Sequence, residues 1–227
     1  TLQGVTMSVQ KSKPGIPLVG LYGTWALIYF LFLRPQILKW GTRLGESQRR
    51  LPGDDIIPKP NFQFTNAINI DAPPEAVWPW LAQMGRERSG YYGLDVITNW
   101  GIPSVTFIRQ DLDPPAVGDE LDGGYHIMEL EPNRKLLYGG FSLRRLFGIA
   151  QDVTTLFLLE RRSDGSTRLL VRRRAYTYGA LGWLYNLGEE KVYFLAVREQ
   201  LQTLKAHAES MAHLHITSQP QPERVRQ

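Results

Sequence analysis

The chain has 227 residues, of which 43% are hydrophobic and 21% are charged, and its net charge at pH 7 is +4. These values are typical of a folded protein rather than a disordered one, and the length allows one or two domains. Because the sequence contains no cysteine, disulfides, thiolate metal sites and cysteine nucleophiles are excluded.

One apolar run stands out near the start of the chain, residues 15–33, which read GIPLVGLYGTWALIYFLFL without a charge. As an α-helix these residues would be roughly 28 Å long, close to the bilayer's hydrocarbon thickness of about 30 Å. The run therefore predicts one transmembrane helix after an N-terminal tail, residues 1–14. A cleaved signal peptide is the alternative, but its apolar core is usually about 7–15 residues long, and no A-x-A cleavage site follows here.

A basic connector, residues 34–60, follows the apolar run and carries six basic against three acidic side chains. By the positive-inside rule, this charge predicts a single-pass protein whose C-terminal domain is cytoplasmic and lies next to membrane lipid. Three prolines and a glycine within 51–60 exclude a regular element there and indicate a stiff strap. No motif supports binding to nucleic acid.

Residues 61–214 have the pattern of one α+β domain. Alternation predicts a first strand over 62–70, and the Asp-Ala-Pro-Pro-Glu sequence then predicts a helix that ends at Gly85. A second short helix is predicted over 91–100 and a weak strand over 105–110. The remaining predicted strands are 120–122, 125–131, 135–140, 154–161 and 167–178.

The last predicted element is a long helix from about residue 182 to residue 214. Its apolar residues recur every three or four positions, which is the pattern of an amphipathic helix that packs on a core. These residues are Phe194, Val197, Leu201, Leu204, Ala208 and Met211. The polar residues 215–227 are predicted to form a flexible tail.

This order of elements matches the helix-grip fold, in which a curved antiparallel sheet wraps around a long C-terminal helix. The chain also resembles the SRPBCC or START-like superfamily of polyketide cyclases, dehydrases and lipid-transport proteins. The resemblance is carried by LPGDD (51–55), AINIDAPPEAVWPWLAQMG (67–85), YYGLD (91–95), VGDEL (117–121) and STRLLVRRR (166–174). It implies an internal apolar cavity between sheet and helix, and it transfers no catalytic residue set.

Arg173 is the first candidate for the binding site. Alternation places it with Leu169 and Val171 on the more apolar face of the last strand, which should face the helix and the cavity. A buried guanidinium needs a partner, because an unpaired buried charge is very costly. Asp95, Glu129 or an acidic group of a ligand is the expected partner, and a purely structural salt bridge is the alternative to a role in ligand binding.

Aromatic residues supply the other candidates, since a surplus of them indicates either a filled core or the walls of a cavity. The predicted ligand-binding set is Arg173, Asp95, Tyr92, Trp100, Tyr125, Tyr138 and Phe157, with Trp78 and Tyr91 as further wall candidates. Residues 141–151 are predicted to be a basic, apolar loop. Such a loop would cover the cavity mouth, insert into the membrane interface or dock on a partner.

No motif in the sequence supports a metal site or a catalytic nucleophile. The four histidines do not have the spacing of a metal site, and there is no G-x-S-x-G motif or phosphate-binding glycine loop. We therefore expect no metal and no cofactor, and we assign no catalytic residue.

The leading hypothesis is a membrane-tethered binding module for an apolar ligand, such as a lipid, quinone or pigment, at the cytoplasmic face. The second is a non-catalytic accessory subunit of a larger integral membrane complex, since Gly20 and Thr24 place small residues four apart on the membrane helix. The third is an enzyme of the cyclase or dehydratase type, which the resemblance implies. It would need an acid–base pair, such as Asp95 with Tyr92 or His126.

Overall fold

The computed structural model describes residues 18–144 and 148–218, and the chain divides into two compact units at residue 36. The first described residues are helical: α1 spans Leu18–Ile28, a π-helical segment spans Tyr29–Leu33, and α2 spans Arg34–Leu38. Within the described part of the chain, no helix has both the length and the apolar character needed to cross a membrane. Residues 15–17 of the predicted membrane helix and most of the predicted tail, 219–227, lie outside the described residues.

The second unit is an α+β domain with one antiparallel sheet. The strands are β1 (Phe62–Ile70), β2 (Glu120–Asp122), β3 (Tyr125–Glu131), β4 (Lys135–Arg144), β5 (Ala150–Arg161) and β6 (Thr167–Thr177). Their spatial order is β1-β6-β5-β4-β3-β2, so the first and last strands in sequence are neighbours. The helices are α3 (Pro74–Ala82), α4 (Asp95–Thr98) and α5 (Gly182–Ser218). The predicted α+β class and the long C-terminal helix are confirmed.

Local sequence explains the tight hairpin between β5 and β6. The Asp164 carboxylate accepts a hydrogen bond from the Ser166 backbone N–H at 3.0 Å, and Gly165 adopts a φ of +83°. Glycine suits this left-handed conformation because it has no Cβ to clash with the backbone. The hairpin closes with a hydrogen bond from the Arg162 N–H to the Ser166 carbonyl at 2.8 Å.

The inner face of the sheet packs against α5 to form the main core. Leu169, Val171 and Ala175 alternate along β6 and are fully buried. They belong to the same hydrophobic cluster as the apolar stripe of α5, which comprises Val197, Leu201, Leu204 and Ala208. Of the predicted stripe, these four residues and the partly buried Met211 therefore face the core, whereas Phe194 lies outside this cluster and packs against Trp40.

The outer face of the sheet is covered by the connector, which the sequence predicted only as a strap. Leu51 is buried there in a second hydrophobic cluster with Leu137, Leu156 and Leu170. The outward arginines of β6 bond to the same segment. Arg168 pairs with Glu46 at 2.6 Å, and Arg172 donates to the carbonyls of residues 46, 47 and 49. These bonds fix the connector on the sheet.

The LPGDD segment is the centre of this attachment. The Asp54 carboxylate accepts hydrogen bonds from the Leu51 N–H at 2.9 Å and from Arg172 Nη1 at 2.7 Å. Gly53 has a φ of +79°, and a Cβ at this position would lie 2.6 Å from a methyl carbon of Leu137. The motif is therefore explained by packing and an internal ion pair.

Two predicted elements between α3 and β2 are wrong. Only Asp95–Thr98 of the predicted helix 91–100 is helical, because Gly90 and Tyr92 have positive φ values of 81° and 58° that break the helix before it starts. Residues 105–110 form no strand. The Gln83 side chain instead donates to the Phe107 carbonyl at 3.0 Å and accepts from the Arg109 N–H at 3.0 Å, so side-chain bonds replace a strand partner.

The predicted loop 141–151 is largely a continuation of the β4–β5 hairpin. β4 runs to Arg144 and β5 begins at Ala150, and these two residues are paired in the ladder. A bulge at Ser142, whose φ is 52°, is held by the Asp152 carboxylate, which accepts from the Ser142 N–H at 2.7 Å. Residues 145–147 lie outside the described residues.

Candidate ligand-binding cavity

A cavity of about 250 Å³ lies between the inner face of the sheet and α5. The segment around α4, the middle strands and the central turns of α5 all contribute to its wall. Its aromatic lining is Tyr91, Tyr125, Tyr138, Phe157 and Tyr193; its aliphatic lining is Ile97, Val171, Val192, Ala196 and Val197; and its polar lining includes Arg86, Thr98, Asp122, Thr155 and Gln200. The resemblance implied a cavity in this place.

The pairing of β4, β5 and β6 places three polar side chains in one row across the sheet, next to the cavity. Tyr138 of β4 is directly opposite Thr155 of β5, and Thr155 is directly opposite Arg173 of β6. Because side chains alternate along a strand, residues paired in this way point to the same face of the sheet. The row therefore faces α5.

Arg173 is the cation of this row, and its side chain is only 1% exposed. It donates to Glu189 of α5 at 2.9 Å and to the Tyr193 hydroxyl at 2.7 Å, and its guanidinium lies 4.0 Å from the centre of the Tyr193 ring. Burial alone would lower the pKa of Arg173, but Tyr125, Tyr193 and Glu189 outweigh it and keep the pKa well above its usual value. The arginine is thus a charged group held behind the cavity wall.

The acidic partners that the sequence suggested for Arg173 are wrong. Asp95 accepts hydrogen bonds from the hydroxyl and the backbone N–H of Ser104, at 2.6 and 2.8 Å, and so stabilises the loop that joins these two residues. Glu129 pairs with Lys135 at 2.5 Å. Glu189 takes the role instead, and its second oxygen accepts from Gln151 Nε2 at 2.8 Å.

Aromatic rings form one wall of the cavity. The rings of Tyr125 and Tyr138 meet edge to face with centroids 5.7 Å apart, and Tyr138 stacks on Phe157 at 6.2 Å. Burial raises the pKa of Tyr138 well above its ordinary value, with Tyr193 and Tyr125 as further causes. Its phenol therefore stays protonated near neutral pH and remains a hydrogen-bond donor.

The charged groups at the other side of the cavity form a second pair. Arg86 Nη2 lies 2.9 Å from an Asp122 oxygen, and the other Asp122 oxygen accepts from the Tyr91 hydroxyl at 2.7 Å. Burial raises the pKa of Tyr91 above its ordinary value. The Arg86 guanidinium also lies over the ring of Trp100, 4.2 Å from its centre.

Thr155 is the one cavity-lining residue among those described whose buried side-chain oxygen has no hydrogen-bond partner. It is 2% exposed. The Tyr138 hydroxyl is its polar neighbour: Thr155 acts on that phenol as a weak hydrogen-bond donor and slightly offsets the rise in the Tyr138 pKa, although the contact falls short of full hydrogen-bond geometry. A buried hydroxyl without a partner is costly, and such groups usually meet water or a ligand.

The structure separates the predicted binding residues into two groups. Tyr125, Tyr138 and Phe157 line the cavity, as does the wall candidate Tyr91. Tyr92 and Trp100 do not: the Tyr92 ring packs against Trp80 in the core, and Trp100 is 75% exposed. Trp78 also lies outside the lining, on the edge of the main core.

Sequence reasoning missed several residues of the site, chiefly Thr155, Glu189 and Tyr193. A signal for two of them was present. Glu189, Tyr193 and Val197 are spaced four apart and so lie on one helical face, the face that carries the core stripe. A glutamate on an apolar helical face opposite an inward arginine predicts an ion pair. Among the residues that the structure describes, no group of three or more His, Cys, Asp or Glu is placed to hold a metal ion.

Comparison with known proteins identifies the fold. No protein-family model and no curated protein matches the chain. A hypothetical protein from Helicobacter pylori superposes with a TM-score of 0.51 at 13% identity, over 74% of this chain and 99% of that one. The fold is a helix-grip fold. At this level of identity the likeness concerns the fold alone.

Two further solved structures are similar to part of the chain at lower TM-scores. A protein from Mesorhizobium loti gives a TM-score of 0.40 at 17% identity, over 66% of this chain and 98% of that one. The di-domain ARO/CYC StfQ from the steffimycin biosynthetic pathway gives 0.43 at 13% identity, over 66% of this chain and 51% of that one.

Proposed function

We propose that this chain binds an apolar small molecule in the cavity between the sheet and α5. The observation that carries the proposal is the wall itself, which is mostly aromatic and aliphatic and includes Tyr138, Phe157, Val171 and Val197. Apolar cavities with a few placed polar groups are the usual form of small-molecule sites. An engineered apolar cavity of about 150 Å³ holds benzene, so this volume suits a buried group of about ten non-hydrogen atoms.

The arrangement of charges supports binding over acid–base catalysis. Of the groups considered for such a pair, Asp95 is engaged by Ser104, Tyr92 lies in the core, and His126 is exposed on β3. General acid–base work requires a titratable group within hydrogen-bond reach of the reacting atoms. The enzyme hypothesis therefore has less support than the binding hypothesis.

The binding experiment uses 2-naphthol, whose fluorescence reports transfer into an apolar site. The full chain should bind it saturably. The Ala196→Leu variant places a larger side chain in the cavity wall and should weaken binding at least tenfold. Ala206 is exposed on the same helix, so Ala206→Leu is the matched control and should bind like the wild type. Equal binding by all three proteins would contradict the proposal.

We further propose that the N-terminal helical unit tethers this domain to a membrane. Large apolar side chains of the unit are exposed on every side; these are Tyr22, Trp25, Leu27, Phe30, Leu31, Phe32 and Leu33. A helix that is apolar all round is suited to a membrane or a protein interior rather than to water. A tether would hold the cavity near ligands dissolved in lipid.

Fractionation of cells that express the full chain tests the tether. We expect the protein in the membrane pellet after a carbonate wash. Replacing both Trp25 and Leu27 with arginine should release it, because each arginine in a membrane helix costs about 2.5–3.5 kcal/mol on the insertion scale. Leu44→Arg, at an exposed site outside the apolar run, is the control. A native gel of the extract would reveal the accessory-subunit alternative as a band well above monomer size.

A further inference from the structure

We infer that the ligand is uncharged and carries a hydroxyl or carbonyl oxygen that forms a hydrogen bond with Thr155. This inference rests on the proposed function, because it names the class of molecule that the same cavity takes. It is carried by the pairing of the charged groups around the cavity and by the one hydroxyl in its wall that, among the described residues, is buried without a full hydrogen bond.

The charges around the cavity are balanced within the protein. Arg86 is paired with Asp122 at 2.9 Å, and Arg173 is paired with Glu189 at 2.9 Å. The Nε–H groups of Arg86 and Arg173 have no hydrogen-bond partner among the described residues. Arg173 does not line the cavity; Arg86 does, but its charge is already compensated by Asp122. A charged ligand would lose its hydration without gaining an available counter-ion, and that cost is large in an apolar site.

Thr155 marks where the polar atom of the ligand binds. Its hydroxyl is buried in the cavity wall without a hydrogen-bond partner in the described structure. A threonine hydroxyl both donates and accepts, so it can bond to either a carbonyl or a hydroxyl oxygen. A site with an unpaired buried polar group favours ligands that satisfy it over analogues that lack the matching group.

The residues around Thr155 determine the polarity and shape of the rest of the ligand. Tyr138 is its cross-strand neighbour and keeps its phenolic proton, so a ligand oxygen at Thr155 has a second potential donor nearby. Phe157, two residues along the same strand, and Val171 opposite it supply apolar contact surface. The ligand is therefore a compact apolar body with its oxygen directed toward the middle of the sheet.

Three molecules of nearly equal size test the role of the oxygen atom and of charge: naphthalene, 2-naphthol and 2-naphthoate. Their dissociation constants for the full chain are measured at pH 7. We expect 2-naphthol to bind roughly 3- to 10-fold more tightly than naphthalene, as one net hydrogen bond provides. We expect 2-naphthoate to bind at least tenfold more weakly than 2-naphthol.

The Thr155→Val variant assigns the preference to one hydroxyl. Valine has nearly the same shape but no hydroxyl, so the ratio of the dissociation constants of naphthalene and 2-naphthol should fall to about one. Thr154→Val changes the neighbouring residue, which points to the outer face, and should keep the preference. Melting temperatures of both variants verify that they are folded.

The outcomes distinguish this inference from the proposed function. If naphthalene binds and Ala196→Leu prevents it, but 2-naphthol is not preferred or Thr155→Val keeps the preference, the inference is overturned and the proposed function stands. Tightest binding of 2-naphthoate also overturns it. If none of the three molecules binds to the folded wild-type chain, the proposed function fails and the inference fails with it.

Discussion

Arg173 of β6 and Glu189 of α5 form an ion pair, with 2.9 Å between Nη2 and Oε1 and side-chain exposures of 1% and 10%. The pair joins β6, the neighbour of the edge strand β1, to the first half of the long helix. Both elements contribute to the wall of the cavity, so this bond helps to hold that wall in place. The pair accounts for the inward arginine that the sequence singled out without identifying its partner.

Removing one member of this pair should destabilise the fold strongly. Glu189→Ala leaves the Arg173 charge buried without its carboxylate, and breaking a buried pair in this way costs about 3–5 kcal/mol. Urea unfolding measures the change in the free energy of unfolding. Glu199→Ala, at an exposed position of the same helix, is the control and should change it by less than about 0.5 kcal/mol.

Replacing both members should recover much of that loss. In an Arg173→Leu, Glu189→Leu double variant no charge remains buried, and apolar replacements of buried pairs are often neutral or stabilising. The double variant should therefore unfold at a higher urea concentration than Glu189→Ala. A double variant as unstable as the single one would contradict a pairwise electrostatic role and indicate a packing role.

The attachment of the connector to the outer face of the sheet should depend on Asp54. Asp54→Ala removes the acceptor of Arg172 and of the Leu51 N–H, and we expect a loss of about 3 kcal/mol in the free energy of unfolding. Asp55 is adjacent and exposed, so Asp55→Ala is a matched control with the same change of charge. Equal effects of the two changes would show that charge, and not this contact, matters.

His207 should make the stability depend on pH. Its ring stacks on Trp80 at 4.4 Å, and burial lowers its pKa below 6.5. A histidine with a lowered pKa favours the folded state while it is neutral, so its contribution is complete above pH 6.5 and is lost as the pH falls through the lowered pKa. Thermal melts between pH 7.5 and 5 should show this decline.

A His207→Phe variant separates this effect from the general response to acid, because it keeps a ring against Trp80 but cannot titrate. Its melting temperature should fall less between pH 7.5 and 5 than that of the wild type. His126→Phe, on the exposed side of β3, should behave like the wild type. An unchanged pH profile for His207→Phe would rule out a contribution from this histidine.

Two glycines should respond to alanine in opposite directions. Gly188 lies within α5 with no atom within 4 Å of an added Cβ, so Gly188→Ala should stabilise the chain by about 0.5–1 kcal/mol. Gly53→Ala should destabilise it by at least 1 kcal/mol, because φ is +79° and the methyl would meet Leu137. Urea unfolding of both variants checks whether each change raises or lowers the free energy of unfolding.

The parts of the fold that follow from periodicity could be predicted from the sequence. Alternation in β1 and β6, and the stripe that includes Val197 and Leu204 in α5, gave elements close to those observed. The region from residue 91 to residue 110 could not be predicted in this way. Its conformation depends on positive φ angles and on bonds from the Gln83 side chain, which leave no periodic pattern.

The site was only partly predictable for a related reason. Alternation along β6 correctly places Arg173 inward, because it depends on one strand alone. The partner Glu189 and the neighbour Thr155 depend on how α5 and β5 are positioned against that strand, which is a tertiary relationship. Asp95 was favoured because it belongs to a recognisable segment, but Ser104 already bonds to it.

The central claim is that the cavity holds an apolar molecule. Native mass spectrometry of the full chain, gently extracted from cells and given no added ligand, tests it most directly. We expect the wild-type chain to carry an additional mass that is released as a small neutral molecule, and the Ala196→Leu variant to lack it. A folded wild-type chain whose mass equals that of the polypeptide alone, or the same bound molecule at equal occupancy in both proteins, would contradict the claim.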